Sequence, residues 1–115
     1  MRVDARTKRL TKRLRAGEIA VIDHTDLDRV AAEALAEARP AAVLNAAPSV
    51  SGRYPNLGPG ILVDAGVPLI DDMGADIMRL REGQRVTIDM DGDGPARVRL
   101  AGRSEAVAAG VVQTR

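Results

Sequence analysis

The clearest pattern in the chain is a pair of short apolar runs separated by a stretch with helical spacing. Residues 18–23 (EIAVID) and 41–45 (AAVLN) have the length and the apolar centre of buried strands. A helix is predicted between them, capped by Thr25 with an acid three residues later and ended by Pro40. Its apolar face comprises Leu27, Val30, Ala31, Ala34, Leu35 and Ala38. A right-handed crossover would make the two strands parallel.

The second half of the chain predicts shorter elements. A short helix with Ile61, Leu62 and Ala65 facing inward is closed by Gly66, and residues 67–70 form a brief strand. Residues 73–80 make one or two helical turns, and residues 81–100 predict a β-hairpin around a DGDG turn, with Val86, Ile88, Val98 and Leu100 inward. The last apolar stretch adds a strand. The fold class is therefore α/β, with a mixed or parallel sheet, two to three helices and a C-terminal β-hairpin.

Composition limits the chain to one domain with an aliphatic core. It has 115 residues, 45% of them apolar, with one Tyr and no Phe, Trp or Cys. The absence of cysteine excludes a disulfide framework and a thiolate metal site, and it favours a cytoplasmic location. Neither a signal peptide nor an apolar run long enough to span a membrane is present.

Charge divides the chain into a basic segment, residues 1–16, and an α/β domain, residues 17–115. A basic segment can touch nucleic acid, acidic lipid or an acidic partner, or can simply be solvated. We expect a solvated segment with Leu10 and Leu14 against the domain. Nucleic-acid binding is not expected, because the chain lacks aromatic side chains for stacking and the rest of it is acidic.

Residues 89–94 and His24 are two candidate sites that the sequence supports poorly. Residues 89–94 match the first half of a calcium loop, but its twelfth position is Leu100, where a bidentate carboxylate is required, so calcium is excluded. The only histidine, His24, lies between Asp23 and Asp26 at the end of the first strand, where it is either a base or phosphate acceptor, or an ordinary surface residue. One histidine without cysteine does not predict a metal site, and no cofactor is predicted.

The stretch SVSGRYPNLGPG, residues 49–60, is the strongest candidate. It follows a predicted parallel strand, where open α/β sheets place ligands. Ser49 and Ser51 can donate to an anion, and Arg53 can bind one bidentately. However, no P-loop or dinucleotide fingerprint is present. The alternative is a structural turn allowed by Gly52 and Gly58, with Tyr54 packed at the edge of the core.

Two family resemblances follow from longer motifs. AGVPLID and REGQRVTIDMDGDG resemble the swivelling β/β/α domain of the PEP-utilising enzymes, through Gly66–Pro68 and residues 83–94. Where that family has its phosphorylated histidine, this chain has Asn56, Leu57 and Gly58, so the resemblance implies no phosphohistidine cycle.

A closer resemblance covers most of the chain. AVIDHTDLDRVA, VLNAAPSVSGRYPNLGP and AGVPLID resemble the N-terminal domain of the SteA family of bacterial cytokinetic-ring proteins. This implies a role in septation through partners such as SteB, and recruitment to the septum. It also implies a longer protein with a thiamine-pyrophosphokinase-like domain and a region that reaches the membrane.

Three functional hypotheses result. The first is a non-catalytic interaction or regulatory domain of a cell-division protein, which binds a protein partner or the remaining domains. The second is a small-ligand domain that holds a phosphorylated metabolite or nucleotide at residues 49–57. The third is phosphotransfer through His24. The Ala-rich helix could also pair with a second copy in a homo-oligomer, but packing on the sheet fully accounts for its apolar stripe. The candidate site residues are Asp23, His24, Asp26, Asn45, Ser49, Ser51, Gly52, Arg53, Tyr54 and Asn56.

Overall fold

The computed structural model describes residues 1–51, 57–90 and 94–113. The strands are β1 (Arg2–Val3), β2 (Ile19–Ile22), β3 (Ala42–Asn45), β4 (Leu69–Asp71), β5 (Val86–Asp89), β6 (Ala96–Leu100) and β7 (Ala106–Val112). The helices are α1 (Thr7–Thr11), α2 (Arg29–Ala38) and α3 (Gly58–Asp64), with a short 3₁₀ helix at Ala75–Arg79.

The strands form one mixed sheet in the order β1-β2-β3-β4-β7-β6-β5. The neighbours from β1 to β4 are parallel, whereas β4, β7, β6 and β5 are antiparallel. The predicted β-α-β unit is confirmed, because β2 and β3 are parallel neighbours in the sheet and α2 connects them. The α/β class, the mixed sheet and the number of helices are confirmed as well.

The sheet curls so that the molecule has three layers. Alternate residues of the parallel strands point to opposite faces. One face, which includes Ile22 and Leu69, packs with the three helices. The other face, which includes Leu44 and Ile70, packs with β6 and the 3₁₀ helix through Val98 and neighbouring residues. The parallel strands therefore lie between the helices and the antiparallel strands.

Helix α2 begins later than its sequence predicts. The N-cap is Asp28, whose carboxylate accepts the backbone N–H of Ala31 at 2.8 Å, so the prediction of Thr25 as the cap is wrong. Asp26 has a left-handed backbone (φ 54°), which keeps residues 25–27 out of the helix. The predicted face is also partly wrong, because Ala32 and Leu35 are buried whereas Val30 is 77% exposed.

Helix α3 lies close to the beginning of α2. A Cβ at Gly58 would collide with the carbonyl group of Leu27, so only glycine allows this approach. The predicted closure by Gly66 is confirmed by its positive φ of 77° directly after the C-cap. Leu62 is buried as predicted, but Ala65 is exposed at the helix end and not inward-facing.

The strands β5 and β6 carry the inward pattern that was predicted for a hairpin. Val86 lies opposite Leu100, and Ile88 lies opposite Val98. All four side chains contact the core on the antiparallel side of the molecule. The predicted turn between them includes residues 91–93, which lie outside the described residues, so the hairpin itself stays a prediction.

The basic segment contributes to the sheet and to the core. Strand β1 pairs with β2, and Leu10 and Leu14 are buried against the helices, as expected. The Arg13 guanidinium hydrogen-bonds the carboxylate of Glu82 and lies 3.3 Å from that of Asp4. Glu82 also accepts the backbone N–H of Val3 at 3.0 Å. These contacts join the N-terminal strand to the segment that precedes β5.

Glu82 is expected to make stability depend on acid pH. Its hydrogen bond with Arg13 holds the pKa of the carboxyl below its ordinary value. A lowered folded-state pKa means that the unfolded chain binds the proton more readily, so stability falls as pH falls through that value. Because both side chains are about one-third exposed, the contribution at neutral pH is about 0.3–1 kcal/mol.

The variant Glu82→Gln measures this contribution by urea unfolding between pH 7 and pH 2. We expect it to be less stable than the wild type at pH 7, with the difference vanishing once the wild-type carboxyl is protonated. Glu105→Gln, at an exposed glutamate, serves as the control. A difference that is independent of pH would contradict the assignment.

Candidate functional site

Three neighbouring parallel strands end at the same edge of the sheet, and each is followed or ended there by a polar residue. Ile22 pairs with Asn45, and Leu44 pairs with Ile70, so the registers place these ends side by side. Asp23 and His24 follow β2, Asn45 ends β3 and Asp71 ends β4. The carboxyl edge of parallel strands is where open α/β folds place their sites. We call this group the carboxyl-edge cluster.

The amide of Asn45 is fully buried and joins β3 to the residues after β2. Its Oδ1 accepts the backbone N–H groups of His24 at 3.0 Å and Ala47 at 3.1 Å. Its Nδ2 donates to the carbonyl of His24 at 2.9 Å and to Oγ of Ser49 at 2.7 Å. Two lone pairs and two N–H groups are the full capacity of an amide. The side chain is therefore fully used in holding the protein together.

Asp71 is a buried carboxylate that the sequence analysis missed. Its Oδ1 accepts the backbone N–H of Ser49 at 2.9 Å and the Ser49 hydroxyl at 2.8 Å. Its Oδ2 accepts Nε2 of Gln113 at 2.9 Å. Only 4% of the residue is exposed, and its acceptors face donors instead of water. Its position directly after the brief strand predicted at residues 67–70 was the available signal.

Asp26 fixes the other end of the same loop. Its carboxylate accepts the backbone N–H of Ser51 at 2.7 Å and the Ser51 hydroxyl at 2.8 Å. Two backbone bonds run alongside, from the N–H of Asp26 to the carbonyl of Pro48 and from that of Leu27 to the carbonyl of Ser49. The segment 46–51 is thereby attached to residues 24–27 along its length.

The ring of His24 lies beside residues of the helical layer. Its Nδ1 lies 2.9 Å from the hydroxyl of Thr7 in α1, and its Nε2 lies 3.6 Å from a carboxylate oxygen of Asp28. The carboxylate beside the ring is thus that of Asp28, whereas the Asp26 carboxylate hydrogen-bonds Ser51. Asp23 is exposed.

The remaining candidates cannot be placed with the cluster. Gly52, Arg53, Tyr54 and Asn56 lie outside the described residues. Within residues 1–51, 57–90 and 94–113, no group of three or more His, Asp or Glu side chains could hold a metal ion. Over the same ranges, no helix has both the length and the apolar character needed to span a membrane.

The chemistry of the carboxyl-edge cluster is that of an anchor. The hydroxyls of Ser49 and Ser51, which were predicted to donate to an anion, donate to carboxylates of the chain itself. Exposed carboxylates of Asp23 and Asp28 add negative charge close to this edge. Both features disfavour a second anion at these serines.

Comparison of the chain with protein-family models, with curated proteins and with solved structures finds no match in any of the three. The resemblances drawn from the motifs therefore stay predictions.

Replacing Asp71 tests whether the cluster anchors the loop. Asp71→Ala would remove the carboxylate that accepts the N–H and the hydroxyl of Ser49, at a cost of about 2–4 kcal/mol in the free energy of unfolding. Asp71→Asn keeps one acceptor oxygen, so a smaller loss is expected. Urea unfolding measures both.

The neighbouring residue supplies a matched control. Asp72 is exposed and has a left-handed backbone (φ 51°) that asparagine tolerates well. Asp72→Asn should leave the free energy of unfolding within about 0.5 kcal/mol of the wild type. Equal losses at positions 71 and 72 would show that the buried carboxylate has no anchoring role.

Proposed function

We propose that this chain is a non-catalytic interaction or regulatory domain of a SteA-like cell-division protein, built on a swivelling β/β/α fold. The motifs AVIDHTDLDRVA and VLNAAPSVSGRYPNLGP support the family. The layer order supports the fold, because helices, parallel strands and antiparallel strands follow one another across the molecule. Septal recruitment of a cytoplasmic protein by a partner belongs to the same proposal.

The observation that carries this proposal is the internal use of the polar groups at the carboxyl edge. The Ser49 hydroxyl accepts from Asn45 and donates to Asp71, and these bonds attach segment 46–51 to the ends of β3 and β4. A segment fixed in this way presents its outward side chains with little loss of conformational entropy on binding. The arrangement suits recognition of another protein better than it suits chemistry on a substrate.

Two exposed apolar side chains of residues 49–57, which we call the signature loop, form the proposed docking surface. Val50 is 47% exposed and Leu57 is 67% exposed. Apolar side chains anchor the centres of protein–protein interfaces. The partner is a SteB-like protein, or the remaining domains of a longer SteA-like chain.

Serine substitutions test the surface against the purified soluble part of a SteB-like protein. We expect Val50→Ser and Leu57→Ser each to weaken binding about 10-fold or more, as is typical of interface anchors. Leu57→Ser also places a favourable N-cap residue at the start of α3, so the fold is preserved. Isothermal titration calorimetry measures the affinities.

Met90→Ser is the matched control. Met90 is 54% exposed, comparable with Val50 and Leu57, and lies directly after β5, outside the signature loop. Its replacement should leave the affinity unchanged. Absence of binding by the wild type, or equal losses at all three positions, would overturn the proposed surface.

The alternative proposal is a small-ligand domain that binds a phosphorylated metabolite or nucleotide at residues 49–57. It is supported by the position of Ser49 and Ser51, which hydrogen-bond Asn45 at the end of β3 and Asp26 after β2, at the edge where such ligands bind. The bonds from Ser49 and Ser51 to Asp71 and Asp26 weigh against it, since those hydroxyls would have to change partner.

An NMR titration of the labelled chain with pyrophosphate and with ATP separates the two proposals. Saturable shifts confined to the amides of His24, Ser49, Ser51 and Leu57 would favour the small-ligand domain. If the docking proposal is right, these amides stay unchanged at millimolar ligand and respond only to the protein partner.

A further inference from the structure

The helical layer contains a groove between α1 and α2 that the proposed function does not use. One cavity of about 420 Å³ lies between the N-terminal parts of the two helices, and another of about 270 Å³ lies between their C-terminal parts. Thr11 and Ala34 line both cavities, and the two cavities therefore form one continuous groove. The two helices run side by side along it.

The two walls of this groove carry opposite charges. Lys8 and Lys12 come from α1 and its C-cap, whereas Asp28 and Glu37 come from the N-cap of α2 and from α2 itself. The first cavity combines Lys8 with Asp28, and the second combines Lys12 with Glu37. All four residues are exposed. Among the residues that the structure describes, the two lysines and Glu37 form no ion pair.

The floor between these walls is formed by small apolar side chains. Ala31, Ala34 and Ala38 line it, and Val30 stands at its rim with 77% of its surface exposed. Small side chains allow the backbone of another helix to approach closely, and the isolated valine would gain burial from it. The groove therefore combines an apolar centre with charges at its edges, as protein interfaces do.

We propose that this groove is the interface of a two-fold symmetric homodimer. A two-fold axis parallel to the groove turns a second copy over so that its α1 faces α2 of the first copy. Residues then keep their positions along the groove, so Lys8 meets Asp28 of the other copy, and Lys12 meets Glu37. Each of these contacts occurs twice, because an isologous interface uses the same patch on both subunits.

The bipolar walls select this occupant over others. A uniformly acidic peptide would be repelled by Asp28 and Glu37, and a uniformly basic one by Lys8 and Lys12. The matching ligand must carry both signs at the spacing of the groove itself. A second copy of the chain has that pattern by symmetry, and this inference is independent of any role in septation.

Charge reversal tests the proposal by sedimentation equilibrium at low ionic strength. The wild type should dimerise, and added salt should weaken the dimer because the pairs lie at the rim. Lys12→Glu turns two attractive contacts of the dimer into repulsive ones, and so does Glu37→Lys. We expect either variant alone to raise the dimer dissociation constant about 100-fold.

Mixing the two variants is the decisive measurement. In a mixed dimer, the glutamate introduced in one variant faces the lysine introduced in the other, and the unchanged Lys12 and Glu37 face each other as before. An equimolar mixture should therefore dimerise with an affinity close to that of the wild type. Both positions are exposed, and circular dichroism verifies that the variants remain folded.

Glu33→Lys is the control, because Glu33 is an exposed acid of α2 that pairs with Arg29 and does not line the groove. It should leave dimerisation unchanged. A wild-type chain that stays monomeric at hundreds of micromolar would overturn the proposal. So would a mixture that associates no better than its separate components, since the interface would then lie elsewhere or have another occupant.

Discussion

Much of the described structure depends on the hydrogen bonds of one buried amide, that of Asn45. Its oxygen and nitrogen together join the end of β3 to His24 after β2 and to Ser49 in the following loop. If one of these bonds were missing, a buried polar group would have no partner, and the folded state would be less stable. The Asn45 side chain thereby helps to position segment 46–51. In that segment the carbonyl of Ser49 accepts the N–H of Leu27, and the carbonyl of Leu27 lies against Gly58 of α3.

Asp71 extends the same constraint across the layers. It ends the last parallel strand, accepts from the loop through Ser49 and accepts from Gln113 directly after the antiparallel strand β7. One carboxylate thus links the parallel strands, the signature loop and the antiparallel strands. The polar groups that could have formed a reactive site are used instead to hold three parts of the fold together. Function is then expected at outward surfaces, namely Val50 with Leu57 and the groove between α1 and α2.

The errors of the sequence interpretation have identifiable physical causes. Both Thr25 and Asp28 are residue types that cap helices. The left-handed backbone of Asp26 excludes a helix that starts at Thr25, and the side chain of Asp26 is bound by Ser51, which is distant along the chain. With the helix starting later, Val30 lies in its first turn and points outward. Asp71, Gln113 and Thr7 could not be assigned to a site because their partners are 22, 42 and 17 residues away in the sequence.

The sequence by itself determined the β-α-β unit, most of the later strands, and the placing of residues 49–57 beside the end of a parallel strand. Apolar runs marked β2 and β3, a glycine marked the end of α3, and Asp26, Asn45 and Ser49 were among the candidate site residues, because these signals are local. Only the tertiary structure decided what those side chains bind, how the sheet curls into two layers, and that α1 lies beside α2 to form a groove. Those features depend on hydrogen bonds and packing between distant residues, which no local pattern encodes.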